Sequence, residues 1–287
     1  MKKVMVIVSA LILTLGTLTG CGKKEDVKEI TVVSREDGSG TRGAFIELFG
    51  IEVKDESGEK IDMTTEEAQI TNSTSVMMTT VAGDEYAIGY VSMGSMDESV
   101  KAVKIDGAEA TAENVKNGSY KVSRPFNIAT RKEMENEVAD DFIKFILSAE
   151  GQKVVSDNGY IALDAADTFK TTGVAGKVVV GGSSSVAPVM EKLIESYKVI
   201  NPNAEIELQT TDSTTGMTSA IDGSYDIGMA SRELKDEELA EGLVGQVIAT
   251  DGIAVIVNLN NPTEDMTVDQ VNTIYVGEAY TWDEVVE

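Results

Sequence analysis

Three segments of the chain contain residue types that suit the binding of an anion. Residues 37–41, 182–185 and 212–216 each place short hydroxyl side chains and glycine between an apolar run and an amphipathic run. The N-terminus of a helix leaves backbone N–H groups unpaired and carries a partial positive charge, while glycine lets a ligand approach closely. Three such turns facing one cleft would bind an anion with neutral donors, although a single one is more often only a helix cap.

Arginine is scarce in this chain and lies close to these turns. Two of the five arginines, Arg35 and Arg42, flank the first turn, and Arg232 follows Ser231 after a run of small residues. The planar guanidinium group offers a fork of donors that matches a tetrahedral oxyanion. We therefore expect Arg35 to contact a ligand; the alternative is a surface ion pair in an acid-rich protein.

The composition excludes several classes of function. The 287 residues include no histidine and one cysteine, which removes histidine-based catalysis, histidine metal ligands and cysteine-rich zinc sites. A nucleophile elbow and a nucleotide-binding P-loop are also absent. With 24 Lys and Arg against 49 Asp and Glu, the net charge of −25 argues against a nucleic-acid partner. What remains is carboxylate, hydroxyl or backbone chemistry, or binding without chemistry, and we expect no catalytic residues, no metal and no cofactor.

The first residues are typical of a secretion signal. Lys2 and Lys3 precede a mostly apolar run over residues 4–18, which is too short for a typical membrane span. Cys21, the only cysteine, follows three residues after this run, with the small residue Gly20 before it. This arrangement resembles the cleavage site of bacterial lipoproteins. It predicts a signal peptide over residues 1–20, lipidation of Cys21, a tether over residues 21–28 and a location on the extracellular face of the cell membrane. An ordinary signal peptide is the alternative.

Strand and helix patterns alternate along the rest of the chain. Apolar runs predict strands at residues 30–33, 87–92, 177–180, 204–209, 225–230 and 253–257. Apolar residues recur at helical spacing after residue 42, across residues 138–155 and across residues 186–197. Residues 162–176 have the composition of a surface linker. This order predicts an α/β fold with mainly parallel sheets flanked by helices.

Several of these segments together resemble one known family. The match covers nearly all of residues 29–287 and is carried by residues 34–42 (SREDGSGTR), 87–92, 123–126, 182–188, 226–233, 249–257 and Trp282. The family is the phosphate-binding proteins of bacterial phosphate ABC transporters. The resemblance implies a periplasmic-binding-protein type II fold, in which two lobes close on the ligand about a hinge.

The order of the segments differs from the family's usual order. Family members usually begin with the segment that here spans residues 182–188, whereas this chain begins with the other half. The resemblance thus implies a circular permutation, with residues 162–176 bridging the usual termini. It implies lobe one over residues 29–119 plus 259–287 and lobe two over residues 120–258. A monomer is expected, and a dimer with exchanged halves is the alternative.

The resemblance also implies a ligand site. Matching the family's motifs position by position gives the phosphate-binding residues Arg35, Ser39, Gly40, Thr41, Ser184, Ser185 and Ser213. The family's better-known members place an aspartate after the serine that matches Ser231, where it accepts the proton of hydrogen phosphate. This chain has Arg232 there, so Asp37, Ser231 and Arg232 are candidates for binding or selectivity.

The expected function is capture of inorganic phosphate and its delivery to an ABC permease. A binding protein for another tetrahedral oxyanion, such as sulfate or molybdate, is the first alternative, because Arg232 replaces the family's aspartate. A secreted phosphatase-like hydrolase is the second alternative, and a sensor without a transport role is the third.

Overall fold

The computed structural model describes residues 28–164 and 167–285, so Cys21 and the predicted signal peptide lie outside the described residues. The strands are β1 Thr31–Arg35, β2 Glu52–Lys54, β3 Lys60–Asp62, β4 Gln69–Thr71, β5 Ala87–Ser92, β6 Val100–Ala102, β7 Lys104–Ile105, β8 Ser123–Arg131, β9 Gly176–Ser183, β10 Ala204–Thr211, β11 Ile227–Ala230, β12 Leu243–Asn258 and β13 Asp265–Met266. The helices are α1 Gly40–Leu48, α2 Thr74–Ala82, α3 Ala112–Lys116, α4 Glu137–Ile146, α5 Ala149–Asp157, α6 Ala187–Ile200, α7 Ser213–Asp222, α8 Asp236–Ala240, α9 Val268–Tyr275 and α10 Trp282–Val285.

The main sheet is mixed, whereas the sequence predicted mainly parallel sheets. Its strands follow the order β10-β9-β11-β8-β12-β5-β1-β4, and β6 pairs with β12 beside this path. Strands β9, β10 and β11 are parallel to one another, as are β1, β4 and β5. Strands β8 and β12 pair antiparallel with their neighbours. The reason is that β8 carries the chain from one half of the sheet to the other and β12 carries it back.

Two large hydrophobic cores lie along this sheet, and a smaller cluster surrounds Met217. The first contains Phe45, Tyr90 and Tyr275, and the second contains Phe142 and Tyr197. Residues 253–257, which the predicted boundaries assigned to lobe two, pack in the first core. Strand β12 passes through both cores, so the change from one core to the other falls inside this strand. Lobe one and lobe two accordingly denote the parts of the chain around the first and the second core.

The segment 138–155, whose apolar spacing predicted continuous helix, forms two helices. The first, α4, ends at Ile146, and the second, α5, begins after Ser148. The Ser148 hydroxyl accepts a hydrogen bond from the Gly151 N–H at 3.2 Å, which caps α5. A side chain at Gly151 would also overlap the Phe145 carbonyl, so glycine is needed at this junction. Apolar spacing alone did not reveal the break, because both helices present their apolar side chains to the second core.

The predicted linker is fastened to lobe two. Its Phe169 ring packs edge-on against Phe145 with centroids 5.3 Å apart. The buried Asp141 carboxylate accepts hydrogen bonds from the Thr171 and Thr172 hydroxyls, both at 3.0 Å, and from the Tyr197 hydroxyl at 2.8 Å. Burial acts to raise the pKa of Asp141, but these hydrogen bonds outweigh it and the pKa is lowered. The charged carboxylate therefore holds the linker in place.

The first and last described residues lie side by side. Glu29 forms an antiparallel bridge with Thr281, and the Trp282 N–H donates to the Lys28 carbonyl at 3.0 Å. Within the described residues, no helix has both the length and the apolar composition needed to cross a membrane.

We predict that Asp141→Asn lowers the free energy of unfolding by about 2 kcal/mol at pH 7, because hydrogen bonds to a charged group are lost. Since the folded pKa is below the unfolded value, the contribution is present above pH ~4 and is lost as the pH falls through the folded pKa. Denaturant unfolding at pH 7 and at pH 3 measures both effects. The exposed neighbour Asp140→Asn is the control and should change little; equal losses in both variants would contradict the assignment.

Candidate functional site

A set of buried hydroxyl groups joins the two lobes. We call it the hydroxyl cluster, and its members are Thr41, Thr74, Ser183, Ser184, Ser185, Ser213 and Ser231. The Oγ atom of Ser185 lies 2.8 Å from Thr41 Oγ1 and 3.2 Å from Thr74 Oγ1. Within lobe two, the Ser183 hydroxyl donates to Ser231 Oγ at 3.0 Å. Because Thr41 and Thr74 belong to lobe one, the cluster forms only when the lobes meet.

The cluster gathers four helix N-termini. Thr41 lies in the first turn of α1, and Thr74 and Ser213 are the first residues of α2 and α7. Ser183 is the last residue of β9, and Ser184 and Ser185 lie between β9 and α6. Each of these helix ends contributes N–H groups that have no partner within the helix, together with partial positive charge. The arrangement can therefore stabilise an anion with groups that carry no formal charge.

Arg35 brings a full positive charge to the cluster. It ends β1, and its side chain is only 2% exposed. Its Nη2 atom donates to Ser184 Oγ at 3.1 Å, and its Nε and Nη2 atoms donate to the two carboxylate oxygens of Glu36 at 2.8 and 2.7 Å. The backbone N–H of Arg35 donates to the Tyr90 hydroxyl at 3.0 Å. Glu36 thus fixes the plane of a guanidinium group that also reaches the opposite lobe.

Ser39 and Gly40 lie at the start of α1 beside the cluster. The Ser39 hydroxyl accepts from the Arg42 N–H at 3.3 Å and caps the helix. Gly40 follows it, and a side chain there would overlap Ser213 Oγ. Nearby, the Thr214 N–H of lobe two donates to the Gly38 carbonyl of lobe one at 3.1 Å. Glycine at positions 38 and 40 therefore allows the two backbones to meet.

The two candidate selectivity residues with charged side chains point away from the cluster. The Asp37 side chain is 97% exposed and pairs with Arg42 at 2.7 Å. Arg232 donates from Nη1 and Nη2 to the Glu238 carboxylate at 2.9 and 2.7 Å. Burial acts to raise the pKa of Glu238, but Arg232 and the Lys235 N–H outweigh it and the pKa is lowered. The third candidate, Ser231, is a member of the cluster.

Two cluster members, Thr74 and Ser183, were missing from the sequence prediction. Thr74 belongs to a fourth hydroxyl-rich turn, residues 71–75, that also precedes a helix. The signal that identified the other three turns could have found it. Ser183 lies beside the predicted Ser184, and strand β9 ends there instead of at residue 180.

Two cavities lie near the junction of the lobes. One of about 220 Å³ borders the hydroxyl cluster and is lined in part by Thr74, Ser95 and Ser184. A larger groove of about 670 Å³ lies between α1 and residues 232–236, and no cluster member lines it. Across the described parts of the chain, no group of three or more acidic or cysteine side chains is arranged to hold a metal ion.

Comparison with known proteins assigns the chain to a family. The model of the PBP superfamily domain matches residues 24–150 and 167–286. The chain is 54% identical over 274 residues to the Phosphate-binding protein PstS 2 of Streptococcus agalactiae, covering 94% of each chain, and 40% identical over 290 residues to that of Streptococcus pneumoniae, covering 99% of each. This chain belongs to the phosphate-binding protein family of the PBP superfamily.

A solved structure supports the same assignment for the family's fold. The crystal structure of a phosphate-binding protein of a phosphate ABC transporter from Streptococcus pneumoniae superimposes with a TM-score of 0.70 at 43% identity. It covers 90% of this chain and 99% of that chain. The predicted family and the predicted periplasmic-binding-protein fold are confirmed, while the permuted order of the halves stays a prediction.

We predict that Gly40→Ala opens this family member's cleft, because the added methyl group would overlap Ser213 Oγ and lie 2.9 Å from Ser231 Oγ. Small-angle X-ray scattering should then show a larger radius of gyration than for the wild type. Gly43→Ala is the matched control in the same helix, because a side chain there meets nothing within 4 Å. The control should keep the wild-type radius and gain up to about 1 kcal/mol of stability from helix propensity. An unchanged radius for Gly40→Ala would show that the contact does not limit closure.

Proposed function

We propose that this protein binds inorganic phosphate between its lobes and delivers it to the permease of an ABC transporter. The observation that carries the proposal is the buried hydroxyl cluster, which combines four helix N-termini with the Arg35 guanidinium group. The Streptococcus relatives are named phosphate-binding proteins, and the superimposed crystal structure belongs to a phosphate ABC transporter. The names of these relatives and the geometry of the hydroxyl cluster therefore support the same ligand, inorganic phosphate.

The proposed mechanism is binding without chemistry. Phosphate would lose its water and gain donors from the hydroxyls of Thr41, Ser184, Ser185 and Ser213 and from the charged Arg35. The N–H groups of Gly40 and Thr41 lie in the first turn of α1 and have no partner within the helix, whereas the Ser39 N–H already donates to the Glu36 carbonyl at 3.0 Å. A tetrahedral anion presents four oxygens, which suits donors that arrive from both lobes. Closure follows because the ligand bonds to both sides of the cleft.

Another tetrahedral oxyanion is the second candidate. The observation that favours it is that Arg232 pairs with Glu238 and Asp37 is exposed, so neither offers a carboxylate acceptor to the hydroxyl cluster. A ligand without a proton, such as sulfate, would meet no carboxylate of these residues. Calorimetry with phosphate, sulfate and molybdate at neutral pH separates the candidates, and tighter binding of sulfate than of phosphate would reject our choice.

We propose a receptor and not an enzyme. The hydroxyl cluster consists of serine and threonine, and its hydrogen bonds connect hydroxyls to each other and to Arg35, with no histidine in the chain to take a proton. A hydroxyl needs an adjacent base to act as a nucleophile. Turnover of a chromogenic phosphate ester that disappears in Ser39→Ala would support the hydrolase alternative instead.

We further propose a monomer in which the family's halves are permuted. One chain supplies both faces of the hydroxyl cluster, and the linker is anchored on lobe two by Asp141. The bridge between Glu29 and Thr281 supports the permutation, because a family member with the usual order would need a connection between these two segments. Light scattering should give the mass of one chain, while the mass of two chains would favour the exchanged dimer.

We predict that Arg35→Ala weakens phosphate binding by ~2–5 kcal/mol, because one partner of a buried charged contact is removed. Isothermal titration calorimetry measures the change. Arg131→Ala is the control: its guanidinium donates to the Ala220 carbonyl in lobe two, and it alters the net charge equally. Wild-type affinity in folded Arg35→Ala would remove Arg35 from the site.

We predict that Cys21→Ala releases the protein from membranes without altering its phosphate affinity, because Cys21 is the proposed point of lipid attachment and precedes the described residues. Fractionation of cells that produce each form measures the release. Membrane association that persists after removal of the signal peptide would reject the lipid anchor, whereas association through a retained signal peptide would show that the substitution blocks processing at Cys21.

A further inference from the structure

A second arginine is as deeply buried as Arg35 and has no part in the site described so far. The Arg124 side chain is 2% exposed. It lies on β8, directly opposite Asp251 of β12, at the point where these two strands pass between the cores. The fully buried Asp251 carboxylate accepts from Arg124 Nη2 at 3.1 Å and from the Ser92 hydroxyl at 2.9 Å.

The hydrogen bonding of Arg124 is incomplete. Its Nε and Nη1 atoms are buried and have no hydrogen-bond partner among the described residues. A buried ion pair contributes to stability only when its remaining donors are also satisfied. A second feature of its surroundings is the Phe126 ring, whose centroid lies 5.4 Å from the guanidinium carbon. The pair with Asp251 therefore holds the guanidinium group without using all of its donors.

The charges of Arg124 and Arg35 act on each other. The pKa of Arg124 is lowered to about 10, chiefly by burial, and the charge of Arg35 also lowers it. Burial raises the pKa of Asp251 to about 6, against the opposing effect of Arg124. Like charges in a buried region disfavour each other until an anion compensates them.

Tyr90 and Ser92 lie two residues apart on β5, where the Tyr90 hydroxyl accepts from the Arg35 N–H and the Ser92 hydroxyl donates to Asp251. Arg124 also lines the groove of about 670 Å³ beside α1, the helix whose first turn contains Thr41. The two buried guanidinium groups are therefore neighbours along β5, and an anion bound near Arg35 would attract both.

We propose that Arg124, held by Asp251 beside the end of β5, is a second positive charge that strengthens the binding of a tetrahedral oxyanion in the anion site. The proposal rests on the proposed function and goes beyond the motif-derived site, which contains Arg35 as its buried charge. It assigns the affinity to two arginines on different strands, with Arg35 touching the hydroxyl cluster and Arg124 acting through its field. The role of Asp251 is then to position Arg124.

Calorimetry with inorganic phosphate on the full chain tests the proposal. We expect Arg124→Gln to weaken phosphate binding about tenfold, the order of a charge–charge interaction beyond direct contact at an effective dielectric constant of about 20. Arg124→Lys keeps the charge and should stay within about threefold of the wild type. Arg131→Gln is the matched control, because it changes the net charge equally from a position in lobe two, and it should stay within about twofold.

The variant Asp251→Asn separates a binding role from a structural one. It removes the negative partner and leaves the positive charge, so the proposal expects phosphate binding that is unchanged or tighter, even if thermal stability falls. A purely structural pair predicts that Asp251→Asn and Arg124→Gln weaken binding in parallel with their losses of melting temperature. If Arg124→Gln does not fold, Arg124→Lys and Asp251→Asn decide the question.

The outcomes distinguish this proposal from the proposed function. If the wild type binds phosphate and folded Arg124→Gln binds it equally well, Arg124 has no role in binding but the proposed function stands. A tenfold loss in folded Asp251→Asn would also overturn the proposal. If the wild type does not bind phosphate, both the function and the role of Arg124 are rejected.

Discussion

A positive charge buried where two lobes meet is the constraint on which this structure depends. Removing a guanidinium group from water is costly unless its donors find partners. Arg35 finds them in Glu36 on its own lobe and in Ser184 on the other. The surrounding hydroxyls and the glycines at positions 38 and 40 then allow the lobes to meet around this group. Closure of the lobes, burial of the Arg35 side chain and compensation of its charge therefore depend on the same contacts.

The overall charge of −25 does not set the electrostatics of this site. Charges on the exposed surface are screened over a Debye length of ~8 Å at physiological ionic strength. Helix N-termini act within about one turn, and four of them meet at the hydroxyl cluster. An acidic protein can therefore contain a cleft that favours anions, because the local donors are closer to the ligand than the acids are.

Local sequence patterns predicted much of the fold. Strand β5 was predicted with the bounds that it has, because its residues are uniformly apolar or small and all are buried. The break between α4 and α5 escaped prediction, since a serine cap and a close backbone approach at Gly151 decide it. The antiparallel pairing of β8 with β12 also escaped, because it depends on how the chain travels between lobes.

Of the candidate site, only the turns could be predicted from the sequence. Hydroxyl-rich turns before helices identified most of the cluster, and the fourth turn at Thr74 shows the same pattern. The partner of Arg232 could not be chosen from the sequence, because many acids lie nearby and only the fold selects Glu238. Likewise, no local pattern indicated that Arg124 would face Asp251 across 127 positions of sequence.

The path of the chain through the two cores also determines how the protein can be assembled. The first core contains residues from both ends of the described chain, including residues 253–257 and helix α9, whereas the second core lies within residues 126–249. A ribosome therefore releases every residue of the second core before it finishes the first, even though synthesis begins with the first. Lobe one, whose synthesis begins first, cannot complete its core until the last residues are made. The cleft between the lobes can therefore form only after both cores are complete.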